Sequence, residues 1–284
     1  MIWRCRGVEF DLHERPLVMG IVNVTPDSFS DGGRYLDPDA AVGRCHELLA
    51  EGSDLLDLGG ESTRPGSPDV PADEQWRRLE PVLTRLRAER PDARLSVDTR
   101  SAEVATRALA LGVHVVNDVS ALSDPGMAAA VAAAGAGLVL MHMRGTPATM
   151  QRETTYVDIV SEVCGFLGER VARAEAAGVA HQAIALDPGI GFGKSAEGSL
   201  ELLARLPELA KLGCPIVVGA SRKSFLARLT GDEGPPEERV PASLAAAAIA
   251  TFEGAHILRV HDVAATVRVM KLAAAARKAR RVRA

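Results

Sequence analysis

Short apolar runs alternate along the chain with longer stretches in which apolar residues recur at helical spacing. The apolar runs cover residues 17–22, 55–58, 94–97, 113–116, 138–141, 183–186, 216–218 and 257–259. Each is followed by a stretch of helical period, for example 38–50, 73–87, 156–177 and 262–278. Short runs without polar alternation are typical of strands buried on both faces. The pattern therefore predicts parallel strands joined by crossover helices.

Eight such pairs predict an α/β protein, a single eight-stranded (β/α)8 TIM barrel. An open doubly wound sheet has the same alternation, but eight pairs favour a closed barrel. We expect one domain over 1–284, with a short N-terminal β-hairpin at 1–14 closing the barrel floor and the barrel at 15–280. The Gly- and Pro-rich interruption at 230–241 is predicted to be a surface loop between two short helices.

Composition and charge argue against several classes of protein. Hydrophobic residues make up 47% and charged residues 25% of the chain, and the net charge is -4, which does not suit a nucleic-acid surface. The four cysteines form no C-x-x-C pair, so neither a zinc cluster nor a disulfide framework is indicated. The longest apolar run, 126–141, falls short of the ~20 residues that cross a bilayer and predicts a helix followed by a strand. We expect a cytoplasmic protein with no nucleic-acid and no membrane partner.

Polar residues follow almost every predicted strand. In β/α barrels the reacting groups lie on the loops after the strands, so these residues are the candidates for a site. Asp98, Asn117 and Asp187 offer carboxylate and amide groups that suit the amino and ring N–H donors of a heterocycle. The segments 23–33 and 59–66 are rich in turn formers and too long for plain connectors, which indicates loops that move over a site.

Basic residues near the same strand ends predict an anion site. Arg64, Arg259 and His261 carry donors that suit the oxygens of a phosphate or pyrophosphate. Lys223 and Ser224 open the helix after the seventh strand, where free backbone N–H groups favour a carboxylate or phosphate. The predicted barrel mouth thus combines a heterocycle cradle with an anion clamp.

Several other features have simpler interpretations. Asp118 and Arg222, taken singly, are interpreted as a helix cap or a salt-bridge partner rather than as ligands. His142 has no second His or Cys at ligand spacing, so a structural, hydrogen-bonded histidine is predicted. The stretch 188–195 is similar to a Walker A loop, but a proline stands where the first glycine is needed, and no nucleotide site is predicted.

Eight ordered blocks of sequence resemble the dihydropteroate synthases, a family of pterin-binding enzymes, and the resemblance extends over nearly the whole chain. The blocks are GIVNVTPDSFSDGG (20–33), GGESTRPG (59–66), SVDTR (96–100), VNDVS (116–120), MHMRGTP (141–147), DPGIGFGK (187–194), GASRKSF (219–225) and RVHD (259–262). The resemblance implies a transferase of folate synthesis. Its small-molecule substrates would be 6-hydroxymethyl-7,8-dihydropterin diphosphate and 4-aminobenzoate, and its products 7,8-dihydropteroate and pyrophosphate.

The resemblance also implies roles for individual residues. The pterin site corresponds to Asp98, Asn117, Met141, Asp187 and Lys223. The pyrophosphate site corresponds to Asn23, Thr63, Arg64, Arg259 and His261, with Asn23 as a ligand of a Mg²⁺ cofactor. The 4-aminobenzoate pocket corresponds to Thr63, Pro65, Phe192, Lys223 and Ser224. The catalytic set is Arg64, Asp98, Lys223, Arg259 and His261, and a homodimer through outer helices is implied as well.

Two rival functions remain open at this point. A methyltetrahydrofolate-binding methyltransferase barrel shares the Asp and Asn cradle, but it has no evident need for Arg64, the 221–223 segment and the 259–261 segment together. A non-catalytic pterin-binding paralogue is expected to have lost parts of its loops, whereas both long loops are whole here. We therefore expect catalysis through stabilisation of a departing pyrophosphate, without a protein nucleophile.

Overall fold

The computed structural model describes residues 1–25, 37–63, 66–232 and 234–281, and its main feature is an eight-stranded parallel sheet. Two strands form a separate hairpin, β1 (Ile2–Cys5) and β2 (Val8–Asp11). The sheet consists of β3 (Leu17–Asn23), β4 (Leu55–Gly59), β5 (Leu95–Asp98), β6 (Val115–Asp118), β7 (Gly137–Met141), β8 (Ile184–Asp187), β9 (Val217–Val218) and β10 (Ile257–Val260). Their order is β8-β7-β6-β5-β4-β3-β10-β9, and a parallel bridge between Leu186 and Ile216 joins its two ends. The predicted β/α-barrel is confirmed.

Helices connect the strands on the outside of the barrel. They are α1 (Pro38–Ala50), α2 (Ala72–Glu89), α3 (Ala102–Ala110), α4 (Met127–Ala134), α5 (Ile159–Ala176), α6 (Ala196–Ala204), α7 (Leu206–Leu209), α8 (Ser224–Thr230), α9 (Val240–Glu253) and α10 (Val263–Arg281). Short 3-10 turns lie at Met150–Arg152, His181–Ala183, Ala210–Leu212 and Pro236–Arg239. None of the helices in the part of the chain that is described is both long and apolar enough to cross a bilayer.

The predicted bounds agree with the structure closely for α1 and less closely elsewhere. α1 begins at Pro38 because the side chain of Asp37 accepts the backbone N–H of Asp39 and caps the helix. The predicted 230–241 loop ends two residues early, since α9 already starts at Val240, and the 3-10 turn Pro236–Arg239 fills much of the gap. α9 is also a full helix of 14 residues rather than a short one.

Apolar side chains pack in two separate clusters, one on each face of the sheet. The larger cluster lies between the strands and the outer helices and includes Leu56 and Leu58 of β4. The smaller cluster lies inside the barrel and includes Leu55 of the same strand, together with Val139 and Ile257. Because successive strand side chains point to opposite faces, one strand serves both clusters. This explains the lack of polar alternation in the sequence.

The N-terminal hairpin closes the lower end of the barrel, as the sequence predicted. Trp3 and Phe10 belong to the cluster inside the barrel, and Trp3 Nε1 donates a hydrogen bond to the carbonyl oxygen of Ala183 at 2.9 Å. Cys5 packs against the start of β7 so closely that a Cβ on Gly137 would lie 2.4 Å from its Sγ. Glycine at position 137 therefore lets the hairpin seat against the strand.

Candidate functional site

Five polar residues on five different strands face the upper end of the barrel lumen. They are Asp57 on β4, Asp98 on β5, Asn117 on β6, Asp187 on β8 and Arg259 on β10. The four acidic or amide residues among them are at most 6% exposed. These five residues are called the polar layer below. They lie at the carboxyl ends of the strands, where the sequence predicted a site.

Arg259 lies at the centre of the polar layer, between two carboxylates. Its Nε donates to Oδ2 of Asp57 at 2.6 Å, and its Nη2 donates to Oδ2 of Asp98 at 2.7 Å. The sequence placed Arg259 at the rim, whereas the structure places it within β10 and deeper in the lumen. Burial would lower the pKa of Arg259, but the carboxylates of Asp57 and Asp98 outweigh that effect and raise it. A positive charge is thus fixed inside the barrel.

Asp57 was not predicted from the sequence, yet it connects the polar layer. Its Oδ2 accepts hydrogen bonds from both Arg259 and the Nδ2 of Asn117, the latter at 2.9 Å. The side chain is fully buried. The signal was a lone aspartate within the apolar run Leu55 to Leu58, because a charge inside a buried strand needs a partner of opposite charge. Asp57 lies within its strand, so the rule that site residues follow the strands does not select it.

Two carboxylate oxygens of the layer are buried and have no hydrogen-bond partner among the described residues. They are Oδ1 of Asp57 and Oδ1 of Asp98. Burial raises the pKa of Asp98, the charge of Arg259 opposes this shift, and the nearby charge of Asp57 adds to it. Since Asn117 donates its amide N–H to Asp57, its amide oxygen is left as an acceptor. The layer therefore presents several acceptors to N–H donors of a ligand.

Lys223 and Phe192 form one wall of the mouth beside Asp187. Lys223 Nζ lies 4.2 Å from the centre of the Phe192 ring and donates to the carbonyl oxygen of Ile190. Burial lowers the pKa of Lys223 to about 8, and the carboxylate of Asp187 opposes that shift. Met141 is buried and pairs in register with Asp187, so it supplies an apolar surface next to the carboxylate.

The remaining predicted residues lie nearer the rim. His261 follows β10, its Nδ1 lies 3.1 Å from Oγ of Ser221, and its backbone N–H donates to the same oxygen. Asn23 is the last residue of β3 and is partly exposed, as is Thr63 in the loop after β4. Ser224 is exposed and is the first residue of α8, as predicted.

Arg64 and Pro65 lie outside the described residues, and so does 26–36, most of the loop after β3. The predicted movement of the loops 23–33 and 59–66 therefore stays a prediction for the parts that lie outside the described residues. The described part of the second loop is anchored by Glu61, which accepts hydrogen bonds from Arg100 at 2.7 Å and from the backbone N–H of Val70 at 2.9 Å. This ion pair ties the loop to the segment that follows Asp98.

The simpler interpretations of Asp118 and Arg222 are confirmed. Asp118 accepts backbone N–H groups of Ser120 and Leu122 and so caps the turn after β6. Arg222 forms a two-bond ion pair with Asp262, at 3.0 and 2.6 Å. Both side chains thus form hydrogen bonds within the protein itself.

His142 also has the structural role that the sequence predicted. Its Nδ1 contacts Nζ of the buried Lys194, which is turned into the protein and not toward an open phosphate loop. Among the residues that the structure describes, no three His, Cys, Asp or Glu side chains are grouped to hold a metal ion.

Comparison with known proteins gives one consistent result. Residues 19–261 match the family described as "Pterin binding enzyme". The dihydropteroate synthase of Escherichia coli strain K12 is 44% identical over 267 residues, which cover 94% of this chain and 93% of that protein.

Solved structures agree in fold and sequence. The Xanthomonas albilineans dihydropteroate synthase with 4-aminobenzoic acid is 48% identical, with a TM-score of 0.89 and coverage of 97% of both chains. The same enzyme in complex with 7,8-dihydropteroate is 45% identical, with a TM-score of 0.86 and coverage of 97% of this chain and 98% of that one. The chain belongs to the pterin binding enzymes and, within that family, to the dihydropteroate synthases, transferases of folate synthesis.

Proposed function

We propose that the mouth of this barrel condenses 6-hydroxymethyl-7,8-dihydropterin diphosphate with 4-aminobenzoate, using three adjoining subsites. The observation that carries this proposal is the partly buried Arg259 held between Asp57 and Asp98. Such an arrangement fixes a cation where an anionic leaving group can approach, and it leaves carboxylate oxygens for a heterocycle with N–H donors.

The pterin ring is proposed to lie in the polar layer. Oδ1 of Asp98 and the acceptor atoms of Asn117 and Asp187 suit the amino and ring N–H groups of a pterin. Met141 would pack against the ring, and Lys223 would donate to one of its acceptors. In support, Asp98, Asn117, Asp187 and Met141 are buried, so hydrogen bonds to a ligand form with little competition from water.

The diphosphate is proposed to lie above the ring, toward the rim. Arg259 uses its Nε and one Nη2 hydrogen for Asp57 and Asp98, so further N–H groups of the same guanidinium remain for phosphate oxygens. His261, Thr63 and Asn23 border this region, and Arg64 would complete the set. When the bond between the pterin methylene carbon and the diphosphate oxygen breaks, the electron pair goes to that oxygen, and these donors stabilise the growing charge.

A magnesium ion is proposed to bind with the diphosphate, held by Asn23. The chemistry of the donor fits, because Mg²⁺ prefers hard oxygen ligands and is commonly held by one or two protein oxygens together with phosphates and waters. The amide of Asn23 ends a strand at the mouth, and no cage of three acidic side chains exists among the described residues. When bound, the ion would neutralise part of the charge on the leaving diphosphate.

The aminobenzoate is proposed to bind against Phe192, Lys223, Ser224 and Thr63, with Pro65 as a further wall. The aromatic ring and the ammonium 4.2 Å from it suit a molecule that is both aromatic and anionic. From this position the amine nitrogen attacks the pterin methylene carbon and then loses a proton. The protein contributes orientation rather than a nucleophile.

A homodimer in the cytoplasm is proposed for the assembled enzyme. Ile249 on α9 and Leu272 on α10 are 43% and 75% exposed, and such apolar side chains on outer helices suit an interface between copies. Sedimentation equilibrium would report twice the 30.0 kDa chain mass. A mass of one chain at micromolar concentration would contradict the dimer.

The test of the proposed reaction is release of pyrophosphate from the pterin diphosphate, with and without 4-aminobenzoate. We expect magnesium-dependent release only when both substrates are present, with 7,8-dihydropteroate formed in equal amount. A non-catalytic paralogue would bind the pterin without release, and a methyltransferase barrel would instead bind methyltetrahydrofolate. Either result would refute the proposal.

A further inference from the structure

The amine of Lys194 lies at the centre of the loop that follows β8. Its Nζ is 2.9 Å from each of three acceptors, Nδ1 of His142 and the carbonyl oxygens of Gly189 and Phe192. The carbonyl oxygen of His142 is a fourth contact, at 3.3 Å. The side chain is only 3% exposed, although no carboxylate touches it in the described part of the chain. Burying a lysine amine this deeply costs free energy, which hydrogen bonds to the amine must offset.

The loop is shaped around this amine. Gly189, Gly191 and Gly193 have φ values of +67°, +81° and +62°, which turn the backbone so that carbonyl groups point inward at Nζ. A Cβ on Gly189 would lie 1.9 Å from the carbonyl oxygen of His142, so the loop is packed directly on the end of β7. Burial lowers the pKa of Lys194 and Asp187 opposes that shift, but charged or neutral, Nζ keeps at least two N–H donors for these carbonyls.

His142 completes the arrangement from the side of β7. Burial lowers its pKa to about 3, so the ring is neutral and its Nδ1 can accept the lysine N–H. The ring packs edge-on against Phe166 with centres 4.9 Å apart, and neighbouring Tyr156 donates its hydroxyl to the carbonyl oxygen of Gly193 at 2.8 Å. The loop is therefore held at its two ends and at its centre.

The same loop carries the wall that Lys223 contacts. Phe192 offers its ring, and Ile190 offers its carbonyl oxygen to Lys223 Nζ. Lys194 is bonded to the backbone of Phe192 itself. Displacing the centre of the loop would move both groups that fix Lys223. Asp57 and Asp98 are instead held by Arg259, and Asn117 by Asp57, all on other strands.

We propose that Lys194 is a positioning residue for the second substrate: its Nζ holds the 188–193 loop against β7 and so sets Phe192 and Lys223 for an aromatic carboxylate. The residue acts through its neighbours and does not touch the reacting atoms. This inference rests on the proposed location of 4-aminobenzoate.

The test is the kinetics of Lys194→Met, which keeps a long unbranched side chain, one atom shorter, and removes its donors. We expect KM for 4-aminobenzoate to rise about tenfold or more, KM for the pterin diphosphate, which Lys223 would also contact, to rise by a clearly smaller factor, and kcat to change less than about threefold. The surface variant Lys211→Met is the matched control and should behave as wild type. Unchanged kinetics, or a fall in kcat with both KM values unchanged, would overturn the proposal.

A second variant serves if Lys194→Met does not fold. His142→Phe removes one of the four acceptors, keeps an aromatic ring against Phe166, and should raise the same KM by a smaller factor, about threefold. In wild type, ¹⁵N NMR should show His142 protonated on Nε2 and not on Nδ1, and a protonated Nδ1 would contradict the contact. That measurement needs no turnover, so an inactive wild-type protein would refute the proposed reaction and not this contact.

Discussion

The two ends of the barrel lumen are built from the same strands but from opposite kinds of side chain. At the lower end, Leu55, Val115, Ala185 and Ile257 pack with the N-terminal hairpin in one apolar cluster. Two residues further along each of these strands, the lumen is lined by Asp57, Asn117, Asp187 and Arg259. The switch from apolar to charged takes place over about 7 Å, two residues of a strand.

The difference indicates that the lower end of the lumen stabilises the fold, whereas the upper end carries the candidate site. At the apolar end, removing side-chain surface from water stabilises the fold, and these side chains have no polar atoms that need a hydrogen-bond partner. The polar end keeps two carboxylate oxygens without a partner among the described residues, an arrangement that costs free energy unless a ligand completes it. Variants at the two ends should therefore fail in different ways.

The largest effect is expected at the lower end, for Trp3→Ala. Removing this fully buried ring should lower the free energy of unfolding by about 3–5 kcal/mol, measured by urea denaturation. At 25 °C the folded fraction should keep the wild-type kcat/KM, because Trp3 packs in the apolar cluster at the lower end of the lumen. Trp3→Phe is the milder control. A fall in kcat/KM for folded protein would show that the two ends are coupled.

Arg259→Ala is expected to have the largest effect on turnover. The change removes the partly buried cation and leaves the carboxylates of Asp57 and Asp98 without their shared partner, so kcat/KM should fall about 10²–10³-fold in the pyrophosphate-release assay. Circular dichroism should report an intact barrel. Arg15→Ala is the control at the lower end, since Arg15 forms a similar ion pair with Asp54, and its kcat/KM should stay unchanged. Equal activity of the two variants would refute the role of Arg259.

Asp57→Asn should have an intermediate effect. The amide keeps the shape of the side chain but removes the charge that orients Arg259, and kcat/KM should fall about tenfold to a hundredfold. The paired variant Asp54→Asn should cost only about 1 kcal/mol of stability and no activity. If both variants kept full activity, the ion pair of Asp57 would be purely structural.

The smallest effect is a dependence on pH. The pKa of Lys223 is lowered to about 8, so its ammonium is present below that pH and lost above it. With pterin diphosphate saturating, kcat/KM for 4-aminobenzoate should fall toward tenfold per pH unit above about 8, since the carboxylate loses its counter-charge. Lys223→Arg stays charged and should lack this fall. The same profile in both proteins would assign the titration to another group.

The sequence predicted the order of the strands and helices because each buried strand leaves a local signal. The predicted first and last residues of the strands were less accurate. The run 113–116 was predicted as a strand, but Val113 donates its N–H to Ala108 and belongs to the turn that ends α3. In the other direction, Asn117 and Asp118 were assigned to a loop and lie within β6, where Asn117 pairs in register with Asp98.

The interior of the site could not be predicted from local pattern. Arg259 bonds to residues 202 and 161 positions away, and such pairs become visible only when distant strands meet in one lumen. Asp57 looked like an exception within an apolar run, and Lys194 looked like part of a failed nucleotide loop. The roles of Asp57 and Lys194 depend on partners that lie on other strands and loops. The side-chain types at the mouth were predictable, whereas their mutual bonds were not.

The closed floor of the barrel has a consequence for the order of events. Because Trp3 and Phe10 fill the lumen from below, a molecule that reaches the polar layer enters past the rim and leaves by the same way. A ligand seated in the polar layer must then arrive before a ligand that covers it from the rim, and the joined product must leave by the same opening. If the pterin lies in the polar layer as proposed, it would bind before the aromatic acid, an order set by the hairpin that closes the floor and ends at Asp11.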